Sequence, residues 1–337
     1  MIFKYRKGKK LKLLVTGGTG FTGSRLVEYL IDKGHSVTVL DNQKGLFYDY
    51  LLKKGASIIL GSVTDREMVK KSLEDVQGVF HLAAAFRQID APKEIYWNVN
   101  VEGTRIMCEE SLKRPLKKFV YCSTQGIHGD IKNPPGDEDS PVVPVDYYQF
   151  SKYEGEKVVK EFAAKGLKSV IIRPTAIYGP GDPERFLYLF RFARKGKFYM
   201  FGNGKAFYHP VYIDNLNDGF IAAWESDKNN AEAYIIADEE YFTIKDLVKK
   251  IGQSMQSEIK FIRLPFMPLF IAACIFEIIY KPFKKSPPLF RRRVDWFRQN
   301  RAFKIDKARK DLGYKPLIGI EEGLKRTAQW YRENNYL

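Results

Sequence analysis

The chain has 337 residues, 45% of them hydrophobic and 28% charged, which suits one large α/β unit with a smaller lobe and excludes a disordered or fibrous protein. Its 56 Lys and Arg against 40 Asp and Glu leave a net charge of +16, which favours anionic ligands or an anionic surface. The basic residues gather in separate clusters (KYRKGKKLK at the start, KPFKK and FRRR late) and form no stripe with interleaved aromatics, so nucleic acid is disfavoured. Three scattered cysteines (Cys108, Cys122, Cys274) exclude a disulfide framework and point to a reducing compartment. Four dispersed histidines (His35, His81, His128, His209) argue against a metal site.

In chain order, LKLLVTG reads as a strand and GSRLVEYLIDKG as the helix after it, with Gly34 placed to end that helix. Strands SVTVLD and SIILGSV follow, then a helix through DREMVKKSLED and the strand GVFHLAA. A longer helix covers most of NVEGTRIMCEESLKR and leads to the strand KKFVYCST. After the loop NPPGDEDSPVVP, a helix starts near Tyr148, runs through SKYEGEKVVKEFAAKG and passes into the strand KSVIIRPTAIYG. Strands alternating with helices of this length predict βαβ units: a Rossmann-type, doubly wound parallel sheet. The boundaries are residues 1–180 for this domain and 181–337 for a mainly substrate-binding lobe, with some later segments returning to the first domain. In the lobe, RFLYLFRFARKGKF, IKDLVKKIGQSM and EEGLKRTAQWYRENN read as amphipathic helices.

Between the first strand and first helix stands TGGTGFTG, with Gly17, Gly20 and Gly23. Glycines there let the backbone turn tightly and approach a pyrophosphate, while the helix N-terminus offers free N–H groups and a positive dipole end. A glycine turn alone is weak, but the strand before it, the helix after it and the acid Asp41 closing SVTVLD strengthen it. Asp41 can accept the ribose hydroxyls and would repel a 2′-phosphate, which favours NAD over NADP.

The spacing TGxxGxxG, continued in order by further motifs to KARKDLGYKP, resembles the extended short-chain dehydrogenase/reductase family over nearly the whole chain. That family includes nucleotide-sugar epimerases, dehydratases and 3β-hydroxysteroid dehydrogenase-like enzymes, and the last kind is nearest in character. The resemblance implies bound NAD, with Phe21 and Thr22 completing the turn and Leu82, Ala83 and Ala84 of GVFHLAA lining the cofactor. It also implies cofactor roles for Asn100 in NVNVEGT and for Pro174 and Ile177 in RPTAIYGPGD. Ser62 stands where the family has an acid toward the adenine, with Val63 beside it as a packing residue for the ring.

In DYYQFSKYEGEK, Tyr148 and Lys152 are four apart and share one helix face. A phenol of pKa near 10 is a poor base at neutral pH, and a neighbouring ammonium favours its ionised form. Lys152 can also hold the nicotinamide ribose, and Tyr148 can take or return the proton of a substrate hydroxyl. Alone the pattern is weak; it gains force from the upstream strand end FVYCSTQGIHG, where the family's Ser/Thr hydroxyl matches Thr124, with Ser123 as the neighbouring alternative. His81 reads as a structural histidine, and His128 as at most a cleft-lining one.

Phe86, Gln125, Tyr178 and Tyr208 are the residues expected to face substrate. Ala176 and Tyr208 occupy places where nucleotide-sugar relatives carry an Asn and an Arg, which tilts the reading to an apolar secondary alcohol or ketone. The alternatives are a nucleotide-sugar 4-epimerase or dehydratase with tightly held NAD, and a non-catalytic NAD-binding regulator. The apolar run within 265–283, bracketed by basic clusters to residue 293, leaves two readings open: peripheral membrane contact or a packed lobe helix. Without an apolar signal core after the basic start, the expectation is a cytoplasmic protein, peripheral on the inner membrane face under the first reading, and pairing as a homodimer.

Overall fold

The computed structural model describes residues 10–86, 92–182, 185–280, 287–289 and 291–337. The start of the first basic cluster and the KPFKK segment lie outside the described residues.

The first half builds β1 (Lys12–Thr16), α1 (Phe21–Asp32), β2 (Ser36–Asp41), α2 (Tyr48–Lys53), β3 (Ser57–Leu60), α3 (Arg66–Ser72) and β4 (Gly78–His81). It continues with α4 (Lys93–Trp97), a π-helical turn at Asn98–Glu102, α5 (Gly103–Leu112), β5 (Lys118–Cys122), α6 (Tyr147–Ala164) and β6 (Ser169–Pro174). The lobe region adds β7 (Ala176–Tyr178), α7 (Arg185–Arg194), β8 (Lys197–Phe201), β9 (Phe207–Tyr208), β10 (Pro210–Tyr212), α8 (Ile213–Glu225) and β11 (Asn230–Ile236). Last come β12 (Phe242–Thr243), α9 (Ile244–Ser254), β13 (Lys260–Leu264), α10 (Phe266–Tyr280), α11 (Arg291–Asp295), α12 (Asp306–Leu312) and α13 (Ile320–Glu333).

Seven parallel strands form one sheet in the order β11-β6-β5-β4-β1-β2-β3. The order reverses beside β1, so the carboxyl ends of β1 and β4 open onto the crevice where such sheets bind ligands. Strand β4 and all but the first residue of β1 are buried, as expected for strands covered by helices on both faces. Helix α6 starts at Tyr147 because Asp146 caps it, its carboxylate accepting the Gln149 N–H at 2.8 Å.

Three later segments return to the first domain: α8, β11 and α12. Leu216, Phe220 and Trp224 of α8, Tyr234 and Ile236 of β11 and Ala308 of α12 share one core with Leu13, Val15, Leu26 and Val27. The lobe has a core of its own, in which Phe186 and Phe190 of α7 meet Leu247, Val248 and Ile251 of α9 and Leu324 and Tyr331 of α13. Truncating a fully buried phenylalanine such as Phe190 to alanine would cost about 3–5 kcal/mol.

Candidate active site

At the end of β1 the chain must turn without side chains. Gly17 has φ +70°, and a Cβ there would meet the backbone nitrogen of Ala83 at 2.9 Å. A Cβ on Gly23 would lie 2.2 Å from the Gly17 carbonyl oxygen, so α1 can approach the turn this closely only with glycine. The first residues of α1 carry no side-chain cap, which leaves backbone N–H groups and the positive dipole end for an anion.

Asp41, at the end of β2, is 8% exposed. One of its carboxylate oxygens accepts both the Thr19 N–H (2.9 Å) and the Thr19 hydroxyl (2.7 Å). The glycine turn therefore fixes the acid's orientation, a link that sequence spacing did not reveal. Ser62 turns into its own loop, its Oγ 2.7 Å from Thr64 Oγ1 and accepting the Thr64 N–H at 3.1 Å. Val63 is buried, and a Cβ on Gly103 would come within 2.7 Å of it; it packs on the start of α5.

Leu82, Ala83 and Ala84 are half-buried along the end of β4, beside the turn. Asn100 departs from its expected contact with cofactor: it is fully buried, and its side chain braces protein backbone. Its Oδ1 accepts the Ala85 N–H (2.8 Å), and its Nδ2 donates to the Ala85 carbonyl (3.2 Å) and to Ser151 Oγ (2.9 Å). With its carboxamide spent in this way, Asn100 shapes the cleft floor from behind.

On α6, Tyr148 is half-buried with its ring edge-on to Phe86, centroids 4.9 Å apart. Phe86 is 42% exposed beside that ring. One helical turn on, Lys152 is 1% exposed, and its Nζ has no hydrogen-bond partner among the described residues. Its ammonium sits 4.2 Å from the centre of the Tyr121 ring, and burial lowers its pKa to about 8. Thr124 Oγ1 accepts the Gly126 N–H at 3.0 Å, capping the short 3-10 turn Gln125–His128; its own proton is not spent in that contact. The neighbouring Ser123 hydroxyl and the Gln125 side-chain Oε1 are buried and lack hydrogen-bond partners among the described residues.

Tyr178 and Tyr208, expected at the substrate, are instead in the lobe core. Tyr178 is fully buried, stacked on Phe186 with centroids 4.9 Å apart and edge-on to Tyr212 at 5.4 Å. Tyr208 is 4% exposed between Phe186 and Trp296. Both rings answer the packing demand of the lobe helices. His128 likewise leaves the cleft: it is 1% exposed, its Nδ1 faces the Ser140 carbonyl at 2.9 Å and its Nε2 accepts from Arg173 at 3.2 Å. Pro174 is buried at the end of β6, and Ile177 bridges the two cores from β7.

Sequence reading missed the pair behind α6. Arg173 donates to both oxygens of Glu156 (2.9 and 2.7 Å), and both side chains are buried. Seventeen residues separate them and nothing local signals the contact.

The bare-backbone turn, the oriented Asp41 and the unpartnered buried ammonium of Lys152 suit a dinucleotide. Its pyrophosphate would lie on the turn, the adenosine ribose at Asp41, and the second ribose within reach of Lys152. Among the described residues no group of three or more His, Cys, Asp or Glu could hold a metal ion.

Known proteins place the chain in the same company. Residues 13–237 match the family model for the NAD dependent epimerase/dehydratase family. The chain is 29% identical to the sterol-4-alpha-carboxylate 3-dehydrogenase, decarboxylating, of Mus musculus, over 95% of this chain and 91% of that protein. It is 28% identical to the 2-alkyl-3-oxoalkanoate reductase of Stenotrophomonas maltophilia, over 94% and 98% of the two. Its fold superimposes on the UDP-glucose 4-epimerase of Thermotoga maritima with a TM-score of 0.77 and 27% identity, covering 96% of this chain and all of that one. The chain belongs to the NAD dependent epimerase/dehydratase family, as an NAD-dependent enzyme of the extended short-chain dehydrogenase/reductase type.

Proposed function

We propose that this enzyme interconverts a secondary alcohol and a ketone on an apolar molecule that carries a carboxylate on the neighbouring carbon. The observation that carries the chemistry is the buried, unpartnered ammonium of Lys152 one helical turn from Tyr148. Tyr148 takes the hydroxyl proton in oxidation and returns it in reduction. Lys152 stabilises the phenolate by its charge and holds the nicotinamide ribose through its Nζ, which has no hydrogen-bond partner among the described residues. Thr124 donates its hydroxyl proton to the substrate oxygen and orients it. Bound on the glycine turn, NAD supplies the two-electron oxidant.

The substrate class rests on two relatives and on the cleft. The names of both the sterol-4-carboxylate dehydrogenase and the 2-alkyl-3-oxoalkanoate reductase describe an oxygen at carbon three, or its equivalent, beside a carboxylate-bearing carbon and hydrocarbon bulk. Phe86 at the phenol and the net charge of +16 suit such an apolar acid. Similarity to a UDP-glucose 4-epimerase supports a second reading, in which NAD stays bound and the sugar is inverted. Against it stands Ala176, in the place where the resemblance implies an Asn of nucleotide-sugar relatives.

The test is direct. With NAD and a 2-alkyl-3-hydroxy fatty acid, the purified enzyme should accumulate NADH fluorescence, and Tyr148→Phe should lower that rate by about 10²–10⁴-fold. Full turnover in Tyr148→Phe would remove the catalytic assignment. Inversion of a UDP-sugar without net NADH would decide for the epimerase.

The same reading lays the lobe on a membrane surface through the 265–293 segment, of which residues 281–286 and 290 lie outside the described residues, and pairs two copies through α5 and α6. Helix α10 supports the first part: only Ala273 of its fifteen residues is buried, while Met267, Ile271, Ile275 and Ile278 are 49–71% exposed. Among the described residues no helix is long and apolar enough to cross a membrane.

A further inference from the structure

The polar groups behind the glycine turn and those behind Tyr148 form one buried hydrogen-bonded line. At the end of β1, Thr16 Oγ1 accepts the Ala83 N–H (3.1 Å) and lies 2.7 Å from His81 Nδ1. The other ring nitrogen, Nε2, is 3.1 Å from Thr104 Oγ1 on α5. Thr104 donates to the Asn100 carbonyl at 2.8 Å. The Asn100 carboxamide donates to Ser151 Oγ (2.9 Å), and Ser151 donates to the Tyr148 carbonyl (2.9 Å). Thr16, His81, Thr104, Asn100 and Ser151 are all 0% exposed.

The direction of the line follows from counting protons. Thr104 has one, and it goes to Asn100, so Thr104 can only accept from His81. The network therefore assigns the ring proton to Nε2 and leaves Nδ1 bare to accept the Thr16 hydroxyl. Burial holds the ring neutral, with its pKa pushed down to about 3. A fully satisfied buried network of this kind fixes geometry, because any shift of one member orphans the next.

Its geometry is placed where it matters. The strip Ala83–Phe86 runs between the cofactor turn and the phenol. Thr16 grips its first N–H, Asn100 grips Ala85 on both backbone atoms, and Phe86 ends the strip against the Tyr148 ring. The imidazole also lies 5.7 Å from the Tyr121 ring, whose face holds the Lys152 ammonium. We propose that His81 is a positioning residue that ties the glycine turn to the first turn of α6, so that dinucleotide seating and the aim of Lys152 are set together. This rests on the reading of Lys152 as a contact to the nicotinamide ribose.

Calorimetric binding of NADH and of ADP separates the two ends of the site, since ADP occupies the glycine turn but lacks the nicotinamide riboside. Lys152→Met sets the full loss of the NADH advantage. His81→Leu and the near-isosteric Thr104→Val should each shrink the NADH to ADP affinity ratio by about 3–10-fold, the size of one displaced hydrogen bond, and Thr104→Ser should restore it. A filler role would lower the melting temperature and leave the ratio alone. If His81→Leu does not fold, Thr104→Val decides. A ratio that is lost in Lys152→Met but intact in folded Thr104→Val overturns the role of His81. A ratio intact in Lys152→Met overturns the Lys152 reading itself.

Discussion

Lys152 directs its ammonium at the face of Tyr121, 4.2 Å from the ring centre, with no hydrogen-bond acceptor in reach among the described residues. A cation over an aromatic face recovers only part of what burial removes, and the pKa falls to about 8 from an ordinary value of 10.5.

That arrangement makes the unliganded enzyme pay for its readiness. The unfolded chain binds this proton more tightly than the folded one, so the cost is complete below about pH 8, fades as pH climbs toward 10.5 and is absent above it. Lys152→Met should therefore melt higher than the wild type at pH 7 without cofactor, by an amount on the order of 3 kcal/mol. The gap should close near pH 10.5 and shrink when NAD is added to both. A methionine variant that melts below the wild type at pH 7 would refute the unpaired charge.

Asp41 owes its orientation to Thr19, which donates to it twice. Asp41→Ala removes the acceptor for the ribose hydroxyls and the charge that repels a 2′-phosphate. The expected result is a KM for NAD raised about 10–100-fold, with NADP now accepted. Thr19→Val keeps the charge and the backbone N–H contact but removes the hydroxyl one, loosening the acid's direction, so NAD should weaken while NADP stays excluded. Steady-state kinetics with both cofactors reads the difference. Acceptance of NADP by Thr19→Val would show that orientation, rather than charge, sets the preference.

Glu156 and Arg173 join α6 to β6 with both side chains at or below 4% exposure. Removing one partner leaves the other charge buried and alone, so Glu156→Leu or Arg173→Met should each cost about 3–5 kcal/mol in denaturant unfolding. The double variant should cost less than the sum of the two. Strict additivity would mean that the pair is not coupled in the folded protein.

Much of the site was legible in the sequence because its signals are local. The glycine turn, Asp41 at a strand end and the Tyr148–Lys152 spacing each depend on a few adjacent residues whose backbone roles are fixed by chemistry. What was not legible depends on distant segments. The Asn100 carboxamide is consumed by Ala85 and Ser151, the latter 51 residues away, and no spacing rule exposes that. Tyr178 looked available because it follows a cofactor motif and Tyr208 because it stands where relatives carry an Arg, yet α7, α13 and Trp296 close over the region and draw both rings inward. The seventh strand of the sheet, Asn230–Ile236, comes after the first lobe segments, and its pairing with β6 is a tertiary outcome.

Helix α10 presents Met267, Ile271, Ile275 and Ile278 along one stripe, between 49% and 71% exposed. Water gains nothing from that stripe, whereas the boundary of a bilayer would shelter it, and the chain's net charge of +16 would favour anionic headgroups. The enzyme should float with vesicles of phosphatidylcholine and phosphatidylglycerol, bind pure phosphatidylcholine less well, and lose affinity as salt rises. Replacing Ile271, Ile275 and Ile278 together by Ser should weaken vesicle binding by about 10-fold or more. Exposed positions carry little of the fold, so the melting temperature should hold. If the triple variant binds vesicles like the wild type, α10 is not the docking element; if it unfolds instead, the helix is covered by protein rather than lipid.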